Sequence, residues 1–415
     1  VRKPKGESIL PERADKKPDS ILPPEILDLL SGVDELELED VEITVEDLEF
    51  WFQAGVPVST AAPKVVVPKK VKPSAILEAP FIPPVQKYPG EIVEVKLGAT
   101  KSEGGSRGKP VIIGGERSPS FYTFENRTPN PPVVSFDVFD SKVPLPKAVK
   151  MNFRDVVDDP VAWAKFSVEK FEANMITLHL VSIDPLNPKP STPVEAAKTV
   201  EEVLQAVDVP LIIGGCGDPK KDLEVFEKVT EVAEGERLLV STVTLDMDIE
   251  KTAKLIKKHG HVALAFSPMD LNQARELNRR LFEFLPKEQI VMDTTTAALG
   301  YGLDYAYTIM ERARLAGLMG DPELQQPMSS GTTNAWAARE AWQKMDPEWG
   351  ARELRGPLWE TVTALTLLLA GVDLFMMMHP AAVKTLQNTI KSLSEKRGMG
   401  DPEKIASWIS RKFQE

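Results

Sequence analysis

Between Ser135 and Met378 the chain repeats one unit: a short apolar strand, a loop of small polar residues, then a stretch with helical spacing. The strands read as 133–139, 175–182, 211–215, 238–242, 262–266, 290–293, 324–328 and 374–378. Helical spacing covers 160–173, 193–206, 220–233, 249–259, 271–284, 303–318 and 357–369, with Ser191 and Thr192 placed to cap the second helix. Strict alternation of this kind predicts an α/β fold with a parallel sheet and right-handed crossovers, closed as a TIM (β/α)8 barrel. An open doubly wound sheet is the alternative. The polar runs SFDVFD, LHLVSIDP, LIIGGCGD, VSTVTLD, LAFSPMD, VMDTTTAALGYG, PMSSGTTNAW and FMMMHP follow the strands. In a closed barrel they share the C-terminal rim, where such folds carry their sites.

Composition narrows the class. With 42% hydrophobic and 27% charged residues, the 415-residue chain has the make-up of a water-soluble protein with one large domain plus appendages. It lacks an apolar run long enough for a membrane span, and its first residues lack a signal peptide's apolar core, so a cytoplasmic location is expected. The single cysteine, Cys216, excludes an internal disulfide and cannot alone hold an iron–sulfur cluster or a structural zinc. Residues 25–49 hold eleven carboxylates and no Lys or Arg, which leaves about -1 of the net charge of -12 for the other 390 residues. No basic stripe suggests nucleic acid as a partner.

Four regions follow: an acidic docking segment (1–56), a Pro-rich linker (57–90), the barrel with a leading β-hairpin (91–393), and a C-terminal tail helix (394–415). The first ends in the cluster Phe50, Trp51, Phe52, and the linker carries eight prolines between 57 and 89. EIVEVKLGA and KPVIIGG flank the turn TKSEGGSRG, a hairpin placed to plug the bottom of the barrel.

On the rim, Asp293, Thr294, Thr295, Thr296, Gly300, Tyr301 and Gly302 offer a carboxylate, hydroxyls and two glycines ahead of a helix, which suits an anionic or amide-rich ligand. The plainer alternative is that the threonines cap that helix. Ser329, Ser330, Gly331, Thr332, Thr333 and Asn334 form a second cluster, placed where barrels often bind phosphate. Cys216 has no basic neighbour before Lys220, which argues against a nucleophile. Of four histidines, His179 reads as a core residue, His259 and His261 as surface or capping groups at the bottom, and His379 as the one functional candidate. Asp184, Asp270 and Asp293 are scattered acid or base candidates without a fixed pair.

The strings GGSRGKPVIIGGE (104–116), MITLHLVSIDP (175–185), KTVEEVLQAVDVPLIIGGCGDPKKD (198–222), TTAALGYGLDYAYTIMERARLAGLMGD (295–321), PMSSGTTNAWAARE (327–340) and LFMMMHP (374–380) resemble one family. It is that of the delta subunits of the acetyl-CoA decarbonylase/synthase complex, also known as the small subunit of the corrinoid iron–sulfur protein. The resemblance covers about 92–393, and the N-terminal extension resembles the longer archaeal version in layout. It implies a barrel that pairs with a gamma subunit and covers a corrinoid (a cobamide) held between the two. The iron–sulfur cluster would lie in the partner and not in this chain. A methyl group would pass between a methyl-tetrahydropterin, cobalt and the nickel site of acetyl-CoA synthase, in an assembly that includes carbon monoxide dehydrogenase. Under this reading Thr294, Thr295, Thr296, Gly300, Tyr301, Ser329, Ser330, Thr332, Asn334 and His379 face the cofactor, and no catalytic or metal-binding residue is assigned. Two alternatives stand beside it. The barrel is itself a pterin methyltransferase using Asp184 or Asp293, or it is mainly a scaffold tethered through Phe50, Trp51 and Phe52.

Overall fold

Eight parallel strands form one sheet in the computed structural model, which describes residues 86–122, 128–153 and 155–394. They are β3 (Val133–Phe139), β4 (Ile176–His179), β5 (Leu211–Gly214), β6 (Leu239–Val243), β7 (Val262–Phe266), β8 (Ile290–Asp293), β9 (Ser329–Gly331) and β10 (Leu374–Met377). The order is β8-β7-β6-β5-β4-β3-β10-β9, and a parallel bridge between Met292 and Met328 joins the two ends, so the sheet closes into the expected barrel. The acidic segment, most of the proline-rich linker and the tail helix fall outside the described residues.

Helices α1 (Lys147–Lys150), α2 (Pro160–Phe171), α3 (Pro193–Ala206), α4 (Pro219–Val232), α5 (Ile249–Lys258), α6 (Leu271–Phe282), α7 (Leu303–Leu318), α8 (Arg352–Ala370) and α9 (Pro380–Ser394) follow the strands. Their starts are written locally. Asp159, Thr192 and Asp218 each accept backbone N–H groups of the first turn, and each is followed by a proline at the first helical position. There the missing N–H costs nothing. Asp270 caps α6 in the same way, which removes it from the acid–base candidates.

Two expectations are corrected. The seventh strand is not 324–328: Leu324 closes a turn on Asp321, and pairing begins at Met328 and continues through Ser329–Gly331. A Ser-Ser-Gly strand has no apolar alternation to betray it, whereas its leading residues do. Helix α8 begins five residues before Pro357, which sits in its second turn and removes one backbone bond. Gly356 lets the Trp336 ring lie directly on this helix, since a Cβ there would come within 2.1 Å of Trp336 Cζ3. Gly356→Ala is expected to cost about 1–3 kcal/mol by overpacking. A urea unfolding midpoint equal to that of the wild type would contradict it.

Below the barrel, β1 (Val95–Leu97) and β2 (Val111–Ile113) form the antiparallel hairpin. Val95, Leu97 and Ile113 are fully buried against Met175, Ile212, Leu239, Val262, Val291 and Leu374, so the hairpin plugs the N-terminal end as expected. Each such side chain contributes about 1.5–3 kcal/mol by leaving water. Arg107 clasps the hairpin turn to the barrel through Leu204 O (2.8 Å), Val207 O (2.7 Å) and Glu236 (2.7 Å). Nearby, buried Arg314 of α7 joins Glu116 (3.0 Å) to Asp373 (2.5 Å), ahead of β10. Asp373 in turn accepts the Met328 N–H at 2.7 Å.

Candidate functional site at the barrel mouth

Strand alternation fixes which side chains enter the lumen. Met175, Ile212, Leu239, Val262, Leu264, Val291, Leu374 and Met376 pack with the hairpin as an apolar floor, and Val133 packs against them. Continuing two residues at a time from this floor toward the rim gives Ser135, Asp137, Phe139, Thr177, His179, Gly214, Ser241, Phe266 and Asp293, joined by Ser329 and Gly331 from β9. Apart from Phe139 and Phe266, the positions toward the mouth are small or polar where the floor is bulky and apolar. In most such barrels bulky branched residues fill these layers.

Two of these side chains were not singled out as rim groups by sequence. Asp137 is 1% exposed; its Oδ2 accepts a hydrogen bond from Thr333 Oγ1, while Oδ1 meets no donor. His179 is not a buried core residue: 26% of its side chain is exposed at the mouth, stacked on Phe139 with centroids 4.9 Å apart. Its Nε2 lies 3.3 Å from Asp137 Oδ2 without an aligned hydrogen bond. The period-two run Met175, Thr177, His179 was the signal that places it.

Asp293 lies at the same level, with Oδ1 accepting the Thr295 N–H (2.8 Å) and Oδ2 the Ser329 hydroxyl (3.2 Å). Burial pushes its pKa up to about 6 against those two bonds. Thr295 is held at φ +76°, a left-handed conformation rare for threonine, by that N–H bond and by Oγ1 donating to Ser267 O at 2.8 Å.

The ten sequence-based candidates divide in two. Thr294, Thr296, Ser329, Ser330 and Thr332 are buried. Thr296, Ser330 and Thr332 form a chain of hydroxyls at 2.9 and 2.8 Å, and Asn334 Nδ2 donates to Thr296 O at 3.1 Å. These groups lock the loops after β8 and β9 to each other. None of the threonines caps α7, whose N-cap, Gly302, has no side-chain cap bond. Thr295, Gly300, Tyr301 and Asn334 reach the surface, and a Cβ added at Gly300 would meet nothing within 4 Å.

His379 is nearly buried beneath Trp336 (centroids 5.9 Å), with Nε2 3.3 Å from Asn152 Nδ2 and Nδ1 accepting the Ala381 N–H at 3.2 Å. Burial lowers its pKa to about 4, so it stays neutral. Its backbone N–H and that of Met378 are held by buried Glu360 of α8, at 3.0 and 2.6 Å. Burial pushes Glu360 up to about 8. Cys216 is pushed up to about 11 by burial and by Asp222, which leaves it a thiol. His259 and His261 do sit at the bottom junction, but both are buried rather than on the surface, and His261 bonds Leu238 N and Thr230 O. Asp184 is half-buried and accepts the Leu186 N–H at 2.8 Å. Among the described residues, no group of three or more His, Cys, Asp or Glu could hold a metal ion, and no helix is long and apolar enough to cross a membrane.

Beside the mouth, Phe139, Leu145, Trp336, Trp342, Arg352 and Met378 line a groove of about 660 Å³. From there α8 presents Leu354 (62% exposed), Leu358, Val362 and Leu369 to solvent along one stripe. Between Thr361 and Ala370 this helix has no charged residue. At the start of α7, Tyr301 and Tyr305 (69% exposed) face solvent, and Tyr307 and Thr308 share a cleft with Thr366 of α8.

Residues 94–345 match the family described as CO dehydrogenase/acetyl-CoA synthase delta subunit. The acetyl-CoA decarbonylase/synthase complex subunit delta of Archaeoglobus fulgidus is 52% identical over 365 residues, covering 85% of this chain and 80% of that protein. The chain belongs to this delta-subunit family. The subunit delta of Methanocaldococcus jannaschii is 48% identical over 387 residues, covering 90% of this chain and 93% of the relative. Both relatives are named as subunits of a complex, and membership of a multi-subunit assembly follows from the family. Among solved structures, a dihydropteroate synthase from Xanthomonas albilineans has a TM-score of 0.44 at 14% identity, over 64% of this chain and 94% of its own. That likeness is too distant to add to the strand order.

Proposed function

We propose that this chain is the non-catalytic half of a corrinoid-carrying pair. It associates with the gamma subunit to form the corrinoid iron–sulfur protein, and in that form takes part in methyl transfer between a methyl-tetrahydropterin and the nickel site of acetyl-CoA synthase. The uncharged face of α8 carries the reading. Leu354, Leu358, Val362 and Leu369 are 62, 54, 38 and 59% exposed along one stripe, a run of apolar side chains that a helix facing only water does not keep. Charge depletion at the centre of such a patch suits a lasting protein partner better than water.

The donor set at the rim fits a macrocycle fringed with amides. Thr295, Tyr301 and Asn334 offer hydroxyl and amide groups at the surface, and Gly300 permits close approach. The buried Thr294, Thr296, Ser329, Ser330 and Thr332 support those loops instead of meeting the ligand. His379 is committed to Asn152 and Ala381 and does not fit a cobalt ligand. When bound, the corrinoid supplies a low-valent cobalt nucleophile for the methyl group. This chain excludes water on one side of it and fixes its orientation. The expected result is that Leu358→Glu with Val362→Glu abolishes co-purification of delta with gamma while circular dichroism stays unchanged. An intact pair would sink the reading of this face. A corrinoid spectrum unaltered by removal of delta would sink the cradle.

A further inference from the structure

The groove beside the mouth carries a charge pattern that the apolar stripe of α8 does not share. Lys147, Lys150 and Arg352 line it together with no carboxylate, while Glu353 borders the narrower slot that adjoins it at Trp336 and Trp342. All three cations are exposed, and among the described residues none is in an ion pair, whereas nearby Lys142 is matched by Asp158 at 3.0 Å. Unmatched positive charge is thus gathered at a concave place.

Surface lysines alone would mean little, but a buried arginine adds to them. Arg352 Nε donates to Trp342 O at 2.5 Å, and Arg355, one turn along α8 and 3% exposed, donates through Nη2 to the adjacent Gln343 O. Two guanidinium groups therefore converge on neighbouring carbonyls. Arg355 Nε and Nη1 are buried without partners, and it makes no ion pair with Glu340 of the same segment, whose Oε2 also lacks a donor. A buried cation without a carboxylate is costly, and an anion bound beside it offsets that cost.

The groove also offers an aromatic wall. Trp342 is 37% exposed and fixed in place, its N–H donating to Arg339 O at 3.1 Å and its carbonyl accepting the Arg352 bond. Having spent Nε on that carbonyl, Arg352 keeps its two Nη groups, a fork suited to phosphate oxygens. The volume of about 660 Å³ lies within the roughly 300–1,000 Å³ of small-molecule sites.

The geometry points to a nucleotide site in this groove, with the base on Trp342 and two or more phosphate charges on Lys147, Lys150 and Arg352. Bases stack on indole whatever their edge pattern, so the site selects for phosphate more than for base. ADP and the adenosine end of coenzyme A share that chemistry. The site rests neither on the gamma subunit nor on a corrinoid.

Titration calorimetry of the full chain with ADP, coenzyme A, adenosine, inorganic pyrophosphate and oligoglutamate tests this. ADP or coenzyme A is expected to bind with a dissociation constant below about 1 mM, and adenosine and pyrophosphate each at least about tenfold more weakly. Coenzyme A binding more tightly than ADP assigns the longer ligand, and the reverse assigns the free nucleotide. Lys147→Gln with Lys150→Gln should weaken binding at least about tenfold with thermal unfolding unchanged, and Trp342→Ala at least about fivefold. If Trp342→Ala fails to fold, the lysine pair decides. The inference is overturned if neither nucleotide binds at about 5 mM, or if the lysine double variant binds as the wild type does. It is equally overturned if pyrophosphate or oligoglutamate binds as tightly as ADP, since the groove would then read charge alone.

Discussion

Arg314→Met is expected to destabilise the protein by about 3–5 kcal/mol, more than any surface substitution on the barrel. Removing the guanidinium strands two buried carboxylates, Glu116 and Asp373, at the junction of α7, the hairpin segment and β10. It also removes a donor to the Gly371 carbonyl. Burial already pushes Asp373 up against the pull of the cation, and without that pull its carboxyl must fold carrying a proton. The folded state then binds more protons than the unfolded chain above pH ~4, so the variant is most stable at the acid end and loses stability as pH rises. Urea unfolding of wild type and variant at pH 5 and pH 8 checks both size and sign. A deficit at pH 8 no larger than at pH 5 would refute the account.

The second large effect is expected at Glu360, which fastens the loop after β10 to α8. Glu360→Leu leaves the Met378 and His379 N–H groups buried without acceptors, at about 1–3 kcal/mol each. The wild-type carboxyl has its own signature. Its folded pKa, about 8, lies above the ordinary 4.5, so its contribution is fully present below the ordinary value and lost as pH rises through 8. Glu360→Gln keeps one acceptor and cannot ionise. It should be less stable than wild type at pH 6, and the gap should narrow by pH 9. Unfolding midpoints at the two pH values test this, and a gap that widens counts against a buried, proton-holding Glu360.

Both effects lie in contacts that no local pattern records, and this marks how far the sequence could be read. Helices 193–206 and 303–318 and strands 133–139, 262–266 and 290–293 are legible to the residue, because apolar strand runs, the Thr192-Pro193 cap and the Gly302 turn ahead of Leu303 act locally. The hairpin was legible for the same reason. Strand β9 was not, since Ser329–Gly331 is held by its neighbours and by Asp373, not by its own hydrophobicity. At the site, the Thr and Ser clusters were correctly placed on the rim, but their burial follows from loop-to-loop bonds such as Thr296 to Ser330, 34 residues apart. His179 and Asp137 were missed as mouth residues because polar positions inside a strand resemble satisfied core groups until the barrel closes around them.

The hairpin that plugs the floor also has a kinetic meaning. With Val95, Leu97 and Ile113 packed against the lowest layer, the N-terminal end of the barrel is closed, so a ligand reaches the polar residues of the upper layers only from the rim. A protein seated over that rim would control the approach, and the rate of exchange there would follow the partner's off-rate.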